Sequence, residues 1–238
     1  MGGIIRLDKY LSDLGIGSRK DVKQDIRKGK VRVNDKVIDN AKFKVNTDLD
    51  KVYYNDQVLE YKQYIYIMLN KPAGVVSATK DNLDTTVIDL IKEKYKKDIF
   101  PVGRLDKDTE GLLLITNDGQ LAHNLLSPKK KIGKTYYALV EGRLTKKEIK
   151  FFNKGIKVDK DFKALPAELE IIESGPISKV NLTIYEGKFH QVKRMFKALG
   201  MEVVYLKRIS MGSLKLDENL DLGEYRYLTK EEVTMLKE

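Results

Sequence analysis

The sequence predicts an α+β protein of two domains: a small helix–helix–strand domain, then a larger α+β domain on a mainly antiparallel sheet. Near the N-terminus, apolar residues follow the i, i+3, i+4, i+7 spacing of an amphipathic helix. Farther along, short apolar runs bounded by turn residues alternate with amphipathic stretches, which is typical of strands interleaved with helices. With 238 residues, 42% of them hydrophobic, the chain can form two such cores.

The predicted small domain covers residues 1–61. Residues 7–14 carry the helical spacing, and Ser18 is a good N-cap for a second helix that Gly29 ends. Apolar and polar residues alternate over 30–34, as in a half-buried strand, and a hairpin over 52–59 closes the domain. We expect a helix–turn–helix–strand unit.

The predicted larger domain covers residues 62–238. Apolar runs predict strands at 64–69, 112–115, 136–140, 167–172, 180–185 and 201–206. Helical patterns lie around 87–95, 121–126, 145–153, 191–199 and after Thr229, which opens a capping box.

Composition excludes several classes of site. The chain has no cysteine and two histidines, which argues against disulfides, thiolate chemistry and a histidine-rich metal site. No apolar run is long enough to span a membrane, and the N-terminus lacks the apolar core of a signal peptide. We therefore expect a soluble cytoplasmic protein with no metal and no membrane partner, and a monomer by default.

The net charge of +10 suggests a polyanionic partner. In the small domain, one face of the predicted unit is basic, and a solvated charged face is the alternative interpretation. The candidate nucleic-acid contacts there are Arg6, Lys9, Arg19, Lys20, Lys23, Arg27, Lys28, Lys30 and Arg32.

A carboxylate-rich loop lies in the middle of the larger domain. Asp106, Asp108 and Glu110 precede the buried run 112–115, so these acids lie on a loop beside the sheet core. An ordinary acidic turn is the alternative. Gly103 and Gly111 bracket this loop, and glycine permits backbone conformations that other residues resist. This feature favours a catalytic loop over an ordinary turn.

The first sixty residues resemble the S4 RNA-binding domain. The similarity lies in Arg6-Leu7-Asp8-Lys9-Tyr10-Leu11, in Ser18-Arg19, and in Gly29-Lys30-Val31-Arg32-Val33-Asn34. The resemblance implies binding to structured RNA through shape and phosphate contacts.

The larger domain resembles the pseudouridine synthases, in the branch related to the 16S ribosomal RNA enzyme. The matching stretches are 103–106 with 109–112, Lys134-Thr135-Tyr136, 186–196 and Asn70-Lys71-Pro72. The resemblance implies isomerisation of one uridine of ribosomal RNA in a partly assembled small subunit, without a cofactor. It also adds Lys71 to the candidate RNA contacts.

By this resemblance, Asp106 is the catalytic carboxylate, acting either as a nucleophile or as a base. Both roles require its ionised form. Lys193 aligns with the family's basic residue and is expected beside Asp106, with Arg194 adjacent, because a neighbouring cation favours ionisation.

The resemblance also assigns the groups around the base. Tyr136 is expected to stack on the target uracil and Leu206 to pack on it. Since paired RNA hides its uridines, the target must be flipped out, and Arg104 fills the vacated space or holds a phosphate. We interpret His190 as structural.

Three alternatives remain at this level. Asp106-Lys107-Asp108-Thr109 fits the D-x-D-x-T pattern of magnesium-dependent phosphatases of the haloacid-dehalogenase type, although no apolar strand immediately precedes it. A non-catalytic S4-type assembly protein would leave the motifs of the second domain unexplained. A synthase acting on 23S RNA differs from the preferred interpretation only in its substrate.

Overall fold

The computed structural model describes residues 3–61, 64–92 and 99–238. These residues form two compact units, one containing 3–61 with Tyr64 and Lys92, the other Ile65–Ile91 with Ile99–Glu238. The domain boundary that we predicted between residues 61 and 62 falls beside 62–63, outside the described residues, and stays a prediction. Within the described ranges, no helix is long and apolar enough to cross a membrane.

The smaller unit contains two helices and two small antiparallel sheets, one pairing β1 with β4 and the other ordered β3-β2-β5-β6. Its elements are β1 (Ile4–Arg6), α1 (Leu7–Asp13), α2 (Arg19–Arg27), β2 (Val31–Val33), β3 (Lys36–Val37), β4 (Lys44–Asn46), β5 (Val52–Tyr54) and β6 (Gln57–Leu59).

Local sequence signals explain these elements. Ser18 and Asp21 form a reciprocal capping box at the start of α2, and Gly29 follows the helix with φ +74°. Asn55 and Asp56 both have positive φ and turn β5 into β6. Both predicted helices, the strand and the hairpin are confirmed.

The larger unit is built on a nine-stranded sheet ordered β11-β12-β10-β13-β9-β7-β15, with β8 also paired to β9 and β14 to β13. Its strands are β7 (Tyr66–Lys71), β8 (Phe100–Pro101), β9 (Glu110–Thr116), β10 (Lys134–Glu141), β11 (Glu168–Glu173), β12 (Ile177–Ile184), β13 (Val203–Met211), β14 (Leu214–Lys215) and β15 (Tyr225–Tyr227). Its helices are α3 (Gly119–Leu126), α4 (Lys146–Lys154), α5 (Gln191–Lys197) and α6 (Lys230–Lys237).

Strand β9 connects the two halves of this sheet. Its apolar run is buried throughout, and α3 packs Leu121 and Leu125 against the core to which Leu112 and Leu114 belong. Among the described strand pairs of the sheet, only β9–β13 is parallel. The prediction of an α+β fold on a mainly antiparallel sheet is therefore confirmed.

One predicted helix is absent from the described residues. Residues 87–90 form a turn, whereas 93–95 lie outside the described residues. The Asp89 carboxylate accepts hydrogen bonds from the backbone and hydroxyl of Thr86, and Thr86 also bridges to Val76. These contacts close a local turn, and they override the apolar spacing that favoured a helix.

Candidate active site

A cavity of about 380 Å³ in the larger unit is lined by one face of the sheet and by the loop 103–109. Buried and half-buried residues alternate along β10, so Lys134 and Tyr136 share the face that lines the cavity. Across the β10–β13 pair, Tyr136 lies opposite Arg208, and Leu206 lies on the same face of β13. These side chains form the cavity floor.

Asp106 and His190 both line the cavity, and their side chains lie next to each other. The Asp106 side chain is 27% exposed, and its Oδ1 lies 3.6 Å from Nε2 of His190. His190 takes a left-handed conformation (φ 48°) directly before α5, and its ring stacks on Phe189 with centroids 3.8 Å apart. His190 therefore belongs to the site, which our structural interpretation of it missed.

The backbone around Asp106 is held in place by several hydrogen bonds. Ser77 Oγ accepts from the Leu105 amide at 3.0 Å and donates to the Leu105 carbonyl at 2.9 Å. The Thr109 amide donates to the Asp106 carbonyl at 3.0 Å. The carboxylate thus projects from a fixed loop, as a catalytic group requires.

Lys71, which we predicted as an RNA contact, is fully buried under this loop. Its Nζ donates to the carbonyl oxygens of Pro72, Asp106, Lys107 and Thr109 at 3.0, 3.1, 3.3 and 2.9 Å. An ammonium enclosed in this way cannot reach a phosphate. The correction is that Lys71 holds the Asp106 loop.

Stability should depend on pH through Lys71. Burial lowers the pKa of Lys71 to about 8, against the attraction of Asp108, Asp106 and Glu110. Above this pH the folded protein has lost the proton of Lys71, whereas the unfolded chain still holds it. Because the unfolded state then binds more protons, the free energy of unfolding rises with pH. We expect the free energy of unfolding of the wild type, relative to Lys71→Met, to increase from about pH 8 to about pH 10. Urea denaturation measures this difference, and a decrease would mean that the four carbonyls keep the pKa high.

Lys193, expected beside Asp106, binds the neighbouring acid of the loop instead. Its Nζ lies 2.6 and 2.5 Å from the two carboxylate oxygens of Asp108, and this hydrogen bond is the main cause that lowers the Asp108 pKa. Arg194 pairs with Asp159 and donates to the Phe189 carbonyl at 3.2 Å. Both residues anchor the start of α5 to its surroundings.

Some of the predicted catalytic residues line the cavity, together with residues that we had not predicted to be catalytic. The predicted residues that line it are Asp106, Tyr136, Arg104 and Leu206. Tyr136 and Leu206 are buried, whereas Arg104 is exposed.

Two of the added residues, Lys134 and Arg208, are basic and lie on the floor. We predicted the strand from residue 136, but the spacing of two between Lys134 and Tyr136 places both on one face of a strand that begins at Lys134. No comparable signal linked His190 to Asp106, because the contact joins residues far apart in the chain.

Among the predicted RNA contacts in the described part of the small unit, the cations without an ion pair lie on α2 and just after it. Arg19, Lys20, Arg27 and Lys28 are exposed and form no ion pair with a described residue. Other predicted contacts already have partners: Arg6 with Asp8, Lys9 with Asp13 and Lys30 with Asp25, each at 2.6 Å, Lys23 with Asp8 at 4.0 Å, and Arg32 over the Tyr53 ring. The α2 face is thus the part of the basic surface most available to an anion.

A metal site is not apparent in the described part of the chain, where no three His, Asp or Glu side chains converge on a common point.

Family models match both units. The model described as RNA pseudouridylate synthase matches residues 65–198, and the S4 domain model matches residues 5–50.

Curated relatives match along nearly the whole chain. The chain is 48% identical to the uncharacterized RNA pseudouridine synthase YtzG of Bacillus subtilis, over 98% of this chain and 99% of that protein. It is 42% identical to the ribosomal small subunit pseudouridine synthase A of Vibrio cholerae, over 98% and 99%. It is 39% identical to the ribosomal large subunit pseudouridine synthase B of Bacillus subtilis, over 98% and 93%.

One solved structure is similar to this chain in both fold and sequence. A crystal structure of a pseudouridylate synthase superposes with a TM-score of 0.69 at 36% identity, covering 98% of this chain and 99% of that one. These matches exclude the phosphatase and the non-catalytic alternatives. The chain, with its S4 domain and the cavity beside Asp106, belongs to the RNA pseudouridine synthase family.

Proposed function

We propose that this protein converts one uridine of 16S ribosomal RNA into pseudouridine, with Asp106 as the catalytic carboxylate. The observation that carries the proposal is the cavity lined together by Asp106, Tyr136 and Leu206. Its volume lies within the range of small-molecule sites. The base of a flipped nucleotide enters it, stacks on Tyr136 and packs on Leu206.

The chemistry needs one ionised carboxylate. The C1′–N1 glycosidic bond breaks with its electron pair moving to the base, the base turns, and C5 bonds to C1′. The proton on C5 is then lost and N1 takes up a proton. Asp106 either attacks the ribose or removes a ribose proton, and in both roles it must be ionised. The imidazole of His190, with Nε2 3.6 Å from Oδ1 of Asp106, lies beside this carboxylate. Lys193 acts one step away, by fixing the loop through Asp108.

The small-subunit assignment has two supports. The stretch 186–196 carries His190 and Lys193 and is similar to the form in small-subunit enzymes; by that resemblance, enzymes acting on large-subunit RNA more often have arginine there. The Vibrio cholerae relative named for the small subunit is also slightly more similar than the relative named for the large subunit. We further propose that the substrate is a partly assembled subunit and that the protein acts as a cytoplasmic monomer.

Purified protein should be incubated with 16S transcript, 23S transcript and partly assembled small subunits, and pseudouridine mapped in each. We expect one modified uridine in 16S RNA. Modification of 23S RNA alone would contradict the substrate assignment and leave the enzyme class unchanged.

The α2 face should govern affinity for RNA. Each lysine or arginine that neutralises a phosphate releases counterions, so log K falls with log salt. Replacing Arg19, Lys20, Arg27 and Lys28 by Gln should weaken binding and reduce that slope by about 0.7 to 0.9 for each phosphate that the variant no longer neutralises.

Filter binding at several salt concentrations measures the slope. Lys9→Gln is the matched control, because Lys9 is already paired with Asp13 and should change the slope less. Equal slopes for the wild type and the quadruple variant would mean that the cations of the α2 face contact solvent and no RNA phosphate.

A further inference from the structure

Two cationic side chains are buried side by side in the cavity floor. Lys134 is 7% exposed and Arg208 is 2% exposed, and both are immediate neighbours of Tyr136 on the sheet. Lys134 Nζ donates to the Ile132 carbonyl at 3.1 Å. Arg208 Nε donates to the Leu112 carbonyl at 2.8 Å, whereas its buried Nη2 has no hydrogen-bond partner among the described residues.

These cations lack a counter-charge in the free protein. Neither forms an ion pair with a carboxylate of the described residues, and Asp106 is the single acid among the described residues that line the cavity. Burial lowers the pKa of Lys134, and repulsion from Arg208 lowers it further. Arg104 on the loop, and Lys188 and His190 on the facing segment, add no negative charge.

Burying uncompensated charge costs stability unless a ligand supplies the opposite charge. The hydrogen bond to the Leu112 carbonyl occupies one donor of Arg208. It does not compensate the charge of Lys134. The cavity floor is therefore suited to negative charge that arrives with, or develops on, a bound nucleotide.

We propose that Lys134, backed by Arg208, stabilises the negative charge that uracil acquires when its glycosidic bond breaks. The proposal rests on the proposed function. When the C1′–N1 electron pair moves to the base, the charge spreads over N1 and the uracil carbonyl oxygens. Lys134 donates a hydrogen bond to this anion and keeps its proton. The charge disappears when C5 bonds to C1′, and the adduct then loses the proton on C5 while N1 takes up a proton from solvent.

The base is a better match for these cations than the phosphate of the same nucleotide. Lys134 and Arg208 lie on the cavity floor next to Tyr136, the proposed stacking partner of the base. Arg104 and Lys188, exposed cations that line the same cavity, are the groups suited to a phosphate. Lys134 is thus assigned as a catalytic residue and Arg208 as a positioning residue.

A melting experiment tests the charge without any substrate. Lys134→Met removes an uncompensated buried ammonium and keeps the length of the side chain, so the Tm should rise by about 2–4 °C. Lys215→Met, at an exposed position on β14 of the same sheet, should leave the Tm unchanged. A lower Tm for Lys134→Met would show that the charge is compensated and would overturn the proposal.

Single-turnover kinetics test the role in catalysis. The assay uses whichever ribosomal RNA transcript the wild type modifies, so a wrong small-subunit assignment does not affect it. Lys134→Met should lower the rate constant at saturating enzyme by about 100-fold or more, as loss of a donor to a developing anion does. The half-saturating enzyme concentration should stay nearly constant, and Lys134→Arg should recover part of the rate.

Weaker RNA binding at an unchanged rate constant would assign Lys134 to a phosphate and overturn the proposal. A rate constant equal to that of the wild type would overturn it as well. If neither transcript is modified, the substrate assignment fails, and the melting experiment still decides whether the buried charge is uncompensated.

Discussion

Asp106→Asn should abolish pseudouridine formation while leaving folding and RNA affinity intact. The amide keeps the shape of the side chain but can neither attack carbon nor accept a proton. Loss of such a group costs at least about 10⁴-fold in rate. Single-turnover assays with mapped pseudouridine measure the rate, and melting and filter binding test the fold and the affinity.

Asp108→Asn is the matched control for this variant. Asp108 lies on the same loop, and its side chain is 70% exposed and bound to Lys193. The control should lose some rate through a looser loop and keep the reaction. Substantial turnover by Asp106→Asn, or an inactive Asp108→Asn beside it, would assign the chemistry to another group.

Gly111→Ala should destabilise the larger unit strongly. Gly111 has φ +98° and lies opposite Arg208 in the parallel β9–β13 pair. A Cβ at this position would overlap the Arg208 carbonyl oxygen and come within 2.8 Å of its amide nitrogen. Backbone strain and forced separation of the strands together cost about 3–5 kcal/mol. Urea denaturation measures this cost.

Gly142→Ala separates the two contributions. Gly142 has a nearly identical φ of +100°, and its Cβ would meet nothing within 4 Å. Its cost should be the strain alone, about 1–2 kcal/mol. Equal destabilisation by the two variants would show that the close approach of β9 to β13 contributes nothing.

Much of the fold could be predicted because local signals agree with the tertiary structure. Ser18 and Thr229 each form the side-chain cap expected of them, and β9 appears where an apolar run follows the acidic loop. Asp106 and Tyr136, which line the cavity, could be proposed from the sequence because they occur in motifs. The turn at residues 87–90 was missed, because Thr86 and Asp89 form contacts that apolar spacing does not report.

The rest of the site depends on contacts between residues distant in the chain. A lysine in sequence looks like a surface cation, and nothing local distinguishes the buried Lys71 from the exposed Lys20. Lys193 and His190 are three positions apart, yet the first reaches Asp108 and the second faces Asp106. Which acid each one meets depends on how α5 packs beside the loop, and sequence spacing does not determine this.

A map of pseudouridines in ribosomal RNA from cells lacking this protein tests the central claim most directly. One uridine of 16S RNA should lose its modification, and a plasmid with the wild-type chain should restore it whereas Asp106→Asn should not. Loss of a pseudouridine from 23S RNA alone, or restoration by Asp106→Asn, would contradict the account.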